Sequence, residues 1–388
     1  MLALLSVAAL TVLVPTLAAP TSGGNIPFTK FAGPVQPDSY IVKLKDGVSK
    51  DSHLQSILSN FVAGSSLRYK YDIFNGYAVT LKSRDLDRIR QSKDVAYIAE
   101  DGIASIDDFS DHGFELSERS NQGVDVSPRS AATKTKCGAG VEIYHLDSGI
   151  YLGHEQFGGR ARWGATFGNY SDIDDNGHGT HTAATAVGKT YGQAPEANII
   201  AIKVLNRKGR GQNSDIIGGI NWAYNAFKQG SRPAIVTMSI SGSPDDAMDE
   251  AVRNAIAGGL HFTLSASNSD EDVSNRSPAR VPTANTVGAV DGNKEKADFS
   301  NYGPLVDVQA PGVNILSAWI GSPDASRRLN GTSMSTPYVA GILAVAISEY
   351  GNKSPAELSA DLKSHARPVV RGEPEGTTNL LATKWQRG

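Results

Sequence analysis

The chain has 388 residues, 40% of them apolar and 20% charged, with a formal net charge of −3 at neutral pH. That is enough for one large domain plus a smaller one with real cores, and the charge balance argues against nucleic acid or an anionic membrane as partner. A single cysteine, Cys137, excludes a fold stapled by internal disulfides.

The chain opens on MLALLSVAALTVLVPTLAAP, an apolar run closed by Pro15 and small residues. It is shorter than a comfortable membrane span and reads as a secretory signal peptide, residues 1–19, cleaved after Ala18 or Ala19. This predicts a secreted, extracellular protein. No Lys or Arg precedes the run, so a short hydrophobic anchor is the other reading. No later segment is apolar over the length a bilayer requires.

YIVKLK then alternates as a strand. DSHLQSILSNFVAG predicts a helix with Asp51 or Ser52 as N-cap and Leu54, Ile57, Leu58 and Phe61 on one face. LRYKYDIFNGYAVTLK predicts two strands around Asn75-Gly76. SRDLDRIRQSKD predicts a helix capped by Ser83, and VAYIAEDG a last strand. The order β-α-β-β-α-β describes a ferredoxin-like α+β sandwich over residues 38–104. Residues 105–135 lose periodicity and read as a linker and processing region. From 136 to 388, short apolar strands (VEIYHLDSG, ANIIAIKVL, AIVTMSIS, HFTLSASN, ANTVGAV) alternate with helical patterns. Strands of that kind are covered on both faces, so this part is an α/β domain with a mostly parallel sheet.

In such a sheet, chemistry sits at the carboxyl ends of strands and the amino ends of helices. Asp147 ends VEIYHLDSG, His178 opens a helix in DDNGHGTHTAAT, and Ser333 opens another in NGTSMSTPYVAG. A serine hydroxyl becomes a nucleophile only beside a base. Imidazole is that base near neutral pH, and a carboxylate orients the ring and stabilises its cation. Each residue also has a plainer reading. Asp147 can shape a turn. His178 and His181, three apart, can bind a metal, although the spacing and glutamate of a zincin helix are absent. Ser333 or Thr332 can be an N-cap. No G-x-S-x-G elbow surrounds any serine, and the order Asp, His, Ser is the known subtilisin order.

With DSGI, NGHGTH and GTSMSTP together, the chain resembles the subtilisin-like serine proteases, most closely the fungal proteinase K branch. YGQAPEANIIAIKVL, DFSNYG and VDVQAPGVNILSAW resemble the same branch. The resemblance runs from about Val141 to the end, and residues 38–104 resemble the inhibitory prodomain that this family uses as a folding chaperone. It implies a subtilisin-like three-layer catalytic domain. It implies a secreted endopeptidase, made as a zymogen, that cuts protein or peptide substrates through an acyl-enzyme with no cofactor needed for the chemistry. The prodomain would be its intramolecular inhibitor. The resemblance makes Ser333 the nucleophile, His178 the general base and Asp147 its partner. Asn268 would stabilise the oxyanion together with the Ser333 N–H. The substrate strand would lie between Gly209-Arg210-Gly211-Gln212 and Ser239-Ile240-Ser241-Gly242, with Ser265, Ala266 and Ser267 at the primary pocket. A structural calcium ion is implied at the Asp307 side chain and the carbonyls of Pro282 and Ala284, oxygen ligands that suit calcium.

The sequence departs from the family where two pocket glycines are Ser241 and Ser267. Two hydroxymethyl groups narrow the pocket and make it more polar, which predicts a preference for small residues before the scissile bond. The other reading is that the loops shift outward and specificity stays broad. Arg210 favours acidic residues upstream of the cut or is only a solvated rim charge. Ala184, Ser335 and Tyr338 also differ from the family, and NQGVDVSPRS replaces a Trp-containing segment. These changes keep two alternatives open: a catalytically weak or inactive homologue acting as a binding protein, and an esterase. Sequons at Asn169, Asn275, Asn330 and Asn352 predict a glycoprotein, Asn330 excepted because it adjoins Ser333.

Overall fold

The computed structural model describes residues 26–106 and 137–385. The expected signal peptide, most of the linker and processing region, and the NQGVDVSPRS segment lie outside the described residues.

In the first unit, β1 (Phe28–Thr29), β2 (Val35–Leu44), α1 (Lys50–Leu58), β3 (Ser66–Tyr71), β4 (Gly76–Thr80), α2 (Ser83–Ile89) and β5 (Val95–Ser105) follow in order. β5, β2, β4 and β3 lie side by side as an antiparallel sheet, the arrangement of a ferredoxin-like sandwich. Alternate strand residues such as Val42, Leu44, Tyr77 and Val79 meet Leu54, Ile57 and Ile89 from the helices. Three local expectations are corrected. α1 is capped by Ser49, whose Oγ accepts from Ser52 N at 3.3 Å, because Ser49 has the extended backbone that a cap requires. α2 is preceded by Lys82 without a side-chain cap bond, and Ser83 is its first residue. The buried face of α1 is His53, Leu54 and Ile57, with Leu58 exposed and Phe61 beyond the helix end.

The second unit contains β6 (Glu142–Asp147), β7 (Ala161–Thr166), α3 (His178–Val187), β8 (Asn198–Lys203), β9 (Arg210–Gln212), α4 (Asn213–Gln229), β10 (Ala234–Met238), α5 (Asp246–Ala257), β11 (His261–Ser265), β12 (Asn285–Val290) and β13 (Val308–Pro311). It closes with β14 (Ile315–Ala318), β15 (Ser326–Leu329), α6 (Thr332–Tyr350), α7 (Pro355–His365), β16 (Arg367–Pro368) and β17 (Leu380–Leu381). The main sheet has the order β16-β17-β13-β12-β11-β10-β6-β8-β7 and is parallel except at the β16–β17 edge. Both faces are covered, as the apolar runs require. Ile143, Ile199 and Ile235 pack under α3 and α6, and Leu146, Ile202 and Val236 under α4 and α5. From β6 the sheet grows one way through β8 to β7 and the other way through β10 to β13. β6 therefore sits at the switch point, where strand ends open a crevice.

β5 joins the two units. It pairs antiparallel with β9, matching Ile103 to Gln212, Ala104 to Gly211 and Ser105 to Arg210. Ser105 also exchanges both backbone hydrogen bonds with Ser241, at 2.9 Å each. Nearby, Arg68 of β3 binds Asp215 at 2.7 Å and Asp101 at 3.2 Å. Asp101 accepts from Ser214 N at 2.8 Å, which satisfies an N–H at the amino end of α4. Burial pushes both carboxyls up, taking Asp215 to about 6 against the pull of Arg68.

Arg68→Ala leaves the two carboxylates without that guanidinium, at an expected cost of about 3 kcal/mol, the low end for a buried pair because Arg68 keeps some exposure. A carboxyl with a raised pKa takes up a proton in the folded chain as pH falls through about 6, so the deficit should shrink on acidification. Urea unfolding at about pH 8 and about pH 5, in a Ser333→Ala chain to keep it whole, checks this. Equal deficits at both pH values would contradict it.

Candidate active site

β6 ends on Asp147 and α3 begins on His178. Gly177, at φ 102, turns the chain into α3, a conformation open to glycine. Asp174 fastens this turn. Its carboxylate accepts from Ser148 Oγ and Gly177 N at 2.9 Å each and from Thr180 N at 2.8 Å, covering N–H groups the helix leaves unpaired. A Cβ on Gly179 would stand 2.1 Å from Gly149 O, so the helix start presses directly on the turn after β6. That approach lets His178 Nδ1 reach Asp147 Oδ1 at 2.8 Å and Oδ2 at 2.9 Å. Burial opposes ionisation of Asp147, but the His178 ring and the Ser148 N–H outweigh it and hold the carboxyl below its ordinary range. Lys203, fully buried, braces the same turn with Nζ 2.6 Å from Ser148 O and 2.8 Å from Asp175 Oδ1.

His181 is differently placed. Its Nε2 lies 3.1 Å from Ile315 O and 3.0 Å from Arg327 O, so the ring N–H donates to backbone. Burial takes its pKa down to about 3. It is a neutral structural ring, and among the described residues no group of three His, Cys, Asp or Glu could hold a metal ion.

The hydroxyls of TSMST divide their tasks. Thr332 Oγ1 donates to Asn268 Oδ1 at 2.9 Å, Ser335 Oγ to Ala310 O at 2.9 Å and Thr336 Oγ1 to Thr332 O at 2.8 Å. Ser333 is the second residue of α6, and the N-cap is Gly331 rather than either hydroxyl residue. Pro337, four residues on, has no N–H to give to Ser333 O. Ser239 Oγ takes that carbonyl instead, at 2.9 Å, and ties the start of α6 to the end of β10.

Asn268 Oδ1 also accepts from Thr332 N at 2.8 Å. With that oxygen fixed, Asn268 Nδ2 and Ser333 N lie 3.4 and 3.5 Å from one point, the position of a Cβ added to Gly331. Two N–H donors thus border one small space at the amino end of α6, where the helix dipole favours negative charge. Asp174, Lys203 and Thr332 carry no role in the sequence reading. Only Asp174, standing just before a predicted helix start in DDNG, offers a local signal there.

Both predicted groove walls meet β5. Gly209 O accepts from Ile106 N at 3.0 Å, and a Cβ on Gly242 would be 3.2 Å from Ala104 Cβ. Arg210 is exposed on the rim, and Ser265 is buried at the end of β11. Ile240 and Ala266 turn their side chains into apolar clusters rather than the groove. Ser241 Oγ is buried with no hydrogen bond among the described residues. Ser267 has φ 82, the left-handed region that glycine fills without strain.

Residues 138–384 match the Subtilase family model, and residues 39–107 match Peptidase inhibitor I9. The chain belongs to the subtilase family. It is 39% identical over 359 residues to Subtilisin-like protease 2 of Pseudogymnoascus destructans, covering 89% of this chain and 88% of that protein. It is 34% identical over 388 residues to the Cuticle-degrading serine protease of Arthrobotrys oligospora, covering 91% and 94%. The crystal structure of a cold adapted subtilisin-like serine proteinase aligns with a TM-score of 0.63 at 38% identity, over 67% of this chain and 94% of that one. The protein is a subtilisin-like serine endopeptidase with an I9-type inhibitor prodomain, and its fungal relatives accord with the proteinase K branch.

The subtilase's other departures serve packing. Ala184 is fully buried in the layer with α3 and α6, and Tyr338 packs against the same cluster. Ser335 reaches β13 through Ala310. The calcium donor set does not fit its ion. Asp307 Oδ1 is 3.0 Å from Lys363 Nζ, and Oδ2 accepts from Thr286 N at 2.9 Å. An ammonium already neutralises the one carboxylate, leaving only the neutral carbonyls of Pro282 and Ala284 for a divalent cation.

Asn268→Ala is expected to lower kcat about 10²–10³-fold with little change in KM, a range that comes from a subtilisin itself. Thr332→Val keeps the backbone donor and loses the hydroxyl, and about tenfold in kcat is expected. Steady-state kinetics on a peptide ester and a peptide amide check both, and an unchanged kcat for Thr332→Val would remove its orienting role. Thermal unfolding with calcium and with a chelator is expected to give one midpoint. A calcium-dependent rise abolished by Asp307→Asn would show that the ion displaces Lys363.

Proposed function

We propose that Ser333, His178 and Asp147 are the catalytic triad of this endopeptidase, with Asn268 Nδ2 and Ser333 N as the oxyanion donors. The observation that carries this is the 2.8 Å contact of His178 Nδ1 with buried Asp147. It fixes the tautomer that leaves Nε2 as the proton acceptor. Ser333 Oγ attacks the scissile carbonyl as His178 accepts its proton. The oxyanion falls between donors that are already in place, so little reorganisation is needed. His178 then protonates the leaving amine, and water releases the acyl group by the reverse roles.

The chain is read as a zymogen: signal peptide 1–19, prodomain 38–104, linker and processing region 105–135, catalytic domain 136–388. Secretion and glycosylation at exposed Asn169 and Asn275 belong to this reading. Among the described residues no helix is long and apolar enough to cross a membrane. The groove is read as polar and narrow at Ser241 and Ser267. Seating a bulky side chain against added atoms in a packed site costs about 1–3 kcal/mol, roughly tenfold to a hundredfold in rate. Small residues before the cut are therefore favoured. A weak or inactive homologue is the less favoured reading, because the changes at Ala184, Ser335 and Tyr338 are absorbed by packing.

A fluorophosphonate probe should label the wild type and not Ser333→Ala. On a peptide panel, the wild type should cut fastest after small residues, and Ser241→Gly should raise cleavage after Phe about tenfold or more. Fastest wild-type cleavage after Phe or Tyr would sink the pocket reading, and absence of labelling would sink the triad.

A further inference from the structure

β5 does more than dock the prodomain. Its last described residues occupy the groove in the manner of a bound peptide, with hydrogen bonds to both walls: Ser105 N to Ser241 O, Ser241 N to Ser105 O, and Ile106 N to Gly209 O. Side chains follow suit. Ala104 lies against Gly242, and Ile106 covers Gly209, where an added Cβ would be 2.4 Å from Ile106 Cγ1 and Cδ1. Gly209 therefore makes the space that an aliphatic side chain fills.

The register locates the reacting bond. In an antiparallel ladder, moving two residues forward on one strand moves two back on the other. From Ser105 paired with Ser241, that step leads to Asp107 and Ser239. Ser239 is the residue whose hydroxyl holds the carbonyl of Ser333. Asp107 lies outside the described residues, and the register of the residues before it leads there. The match to Peptidase inhibitor I9 ends at the same residue, 107.

We propose, on the triad reading above, that this protease makes its first cut in its own chain between Asp107 and Asp108. Ser333 Oγ adds to the Asp107 carbonyl carbon while His178 takes its proton. The carbon–nitrogen bond to Asp108 breaks, and the proton passes to the leaving Asp108 amine. Water then adds to the Asp107 ester, its proton passing through His178 back to Ser333 Oγ. The products are a free Asp107 carboxylate and a free serine hydroxyl. The acidic side chain before the cut has a partner in the groove. Directly paired residues share a face of a ladder, as do residues two apart, so Ser241 and position 107 share one. The buried Ser241 Oγ, without a hydrogen bond among the described residues, is the donor assigned to the Asp107 carboxylate.

The test uses the full chain, wild type and Ser333→Ala, followed by intact mass of both fragments at their first appearance and by fluorophosphonate labelling. The expected result is a prodomain fragment ending at Asp107 and a catalytic fragment beginning at Asp108, both missing from Ser333→Ala. Asp108→Pro should suppress that pair of fragments, and Asp107→Phe should slow their appearance about tenfold, with Ser241→Gly recovering the rate. Labelled wild type whose first fragment ends elsewhere overturns the site and leaves the protease reading standing. Phe at 107 that speeds the cut overturns the Ser241 assignment. A wild type that neither labels nor cleaves overturns the triad reading, and this inference with it.

Discussion

The contact between the start of α3 and the turn after β6 is the constraint on which the site depends. With 2.1 Å between Gly149 O and any Cβ at Gly179, only glycine permits the helix to come this near. The nearness holds His178 against Asp147. Asp174 and Lys203 supply the polar support, so the buried carboxylate is surrounded by donors rather than left to neutralise itself. Removing the space at Gly179 would displace the ring from its partner without touching either residue.

The amino end of α6 follows a similar logic with a different device. Pro337 deletes one helical hydrogen bond and leaves Ser333 O without its usual partner. Ser239 supplies that partner from the neighbouring strand end. Thr332 meanwhile holds Asn268 by its oxygen and so directs the amide nitrogen. The serine and its two nearby donors are thus held by three different parts of the sheet edge. Such fixed donors stabilise charge as it develops without having to move first.

The prodomain exploits the same edge. β5 adds a strand to the groove walls, and the groove cannot hold this strand and a substrate strand together. Inhibition and recognition are one geometry, and the prodomain's last residues therefore carry information on what the groove accepts. The Arg68, Asp101 and Asp215 cluster fixes the two units beside each other while desolvating two carboxylates. Such a pair is costly to break on one side only.

The periodicity of the chain determined the two-unit organisation, the ferredoxin-like order and the parallel sheet, because both-face burial demands apolar runs and one-face burial demands alternation. The chain order of DSGI, NGHGTH and GTSMSTP was enough to mark Asp147, His178 and Ser333, since those residue types at strand and helix ends allow few other chemistries. Helix starts were less legible. Ser49 displaced Asp51 or Ser52, and Gly331 displaced Thr332, because a cap is chosen by backbone conformation and not by residue type alone. The tertiary structure alone decided that His181 is structural, that Ile240 and Ala266 face inward, that Lys363 meets Asp307 where calcium was expected, and that Thr332 orients Asn268. Each of these depends on which groups meet across dozens of intervening residues, and no local pattern encodes that meeting.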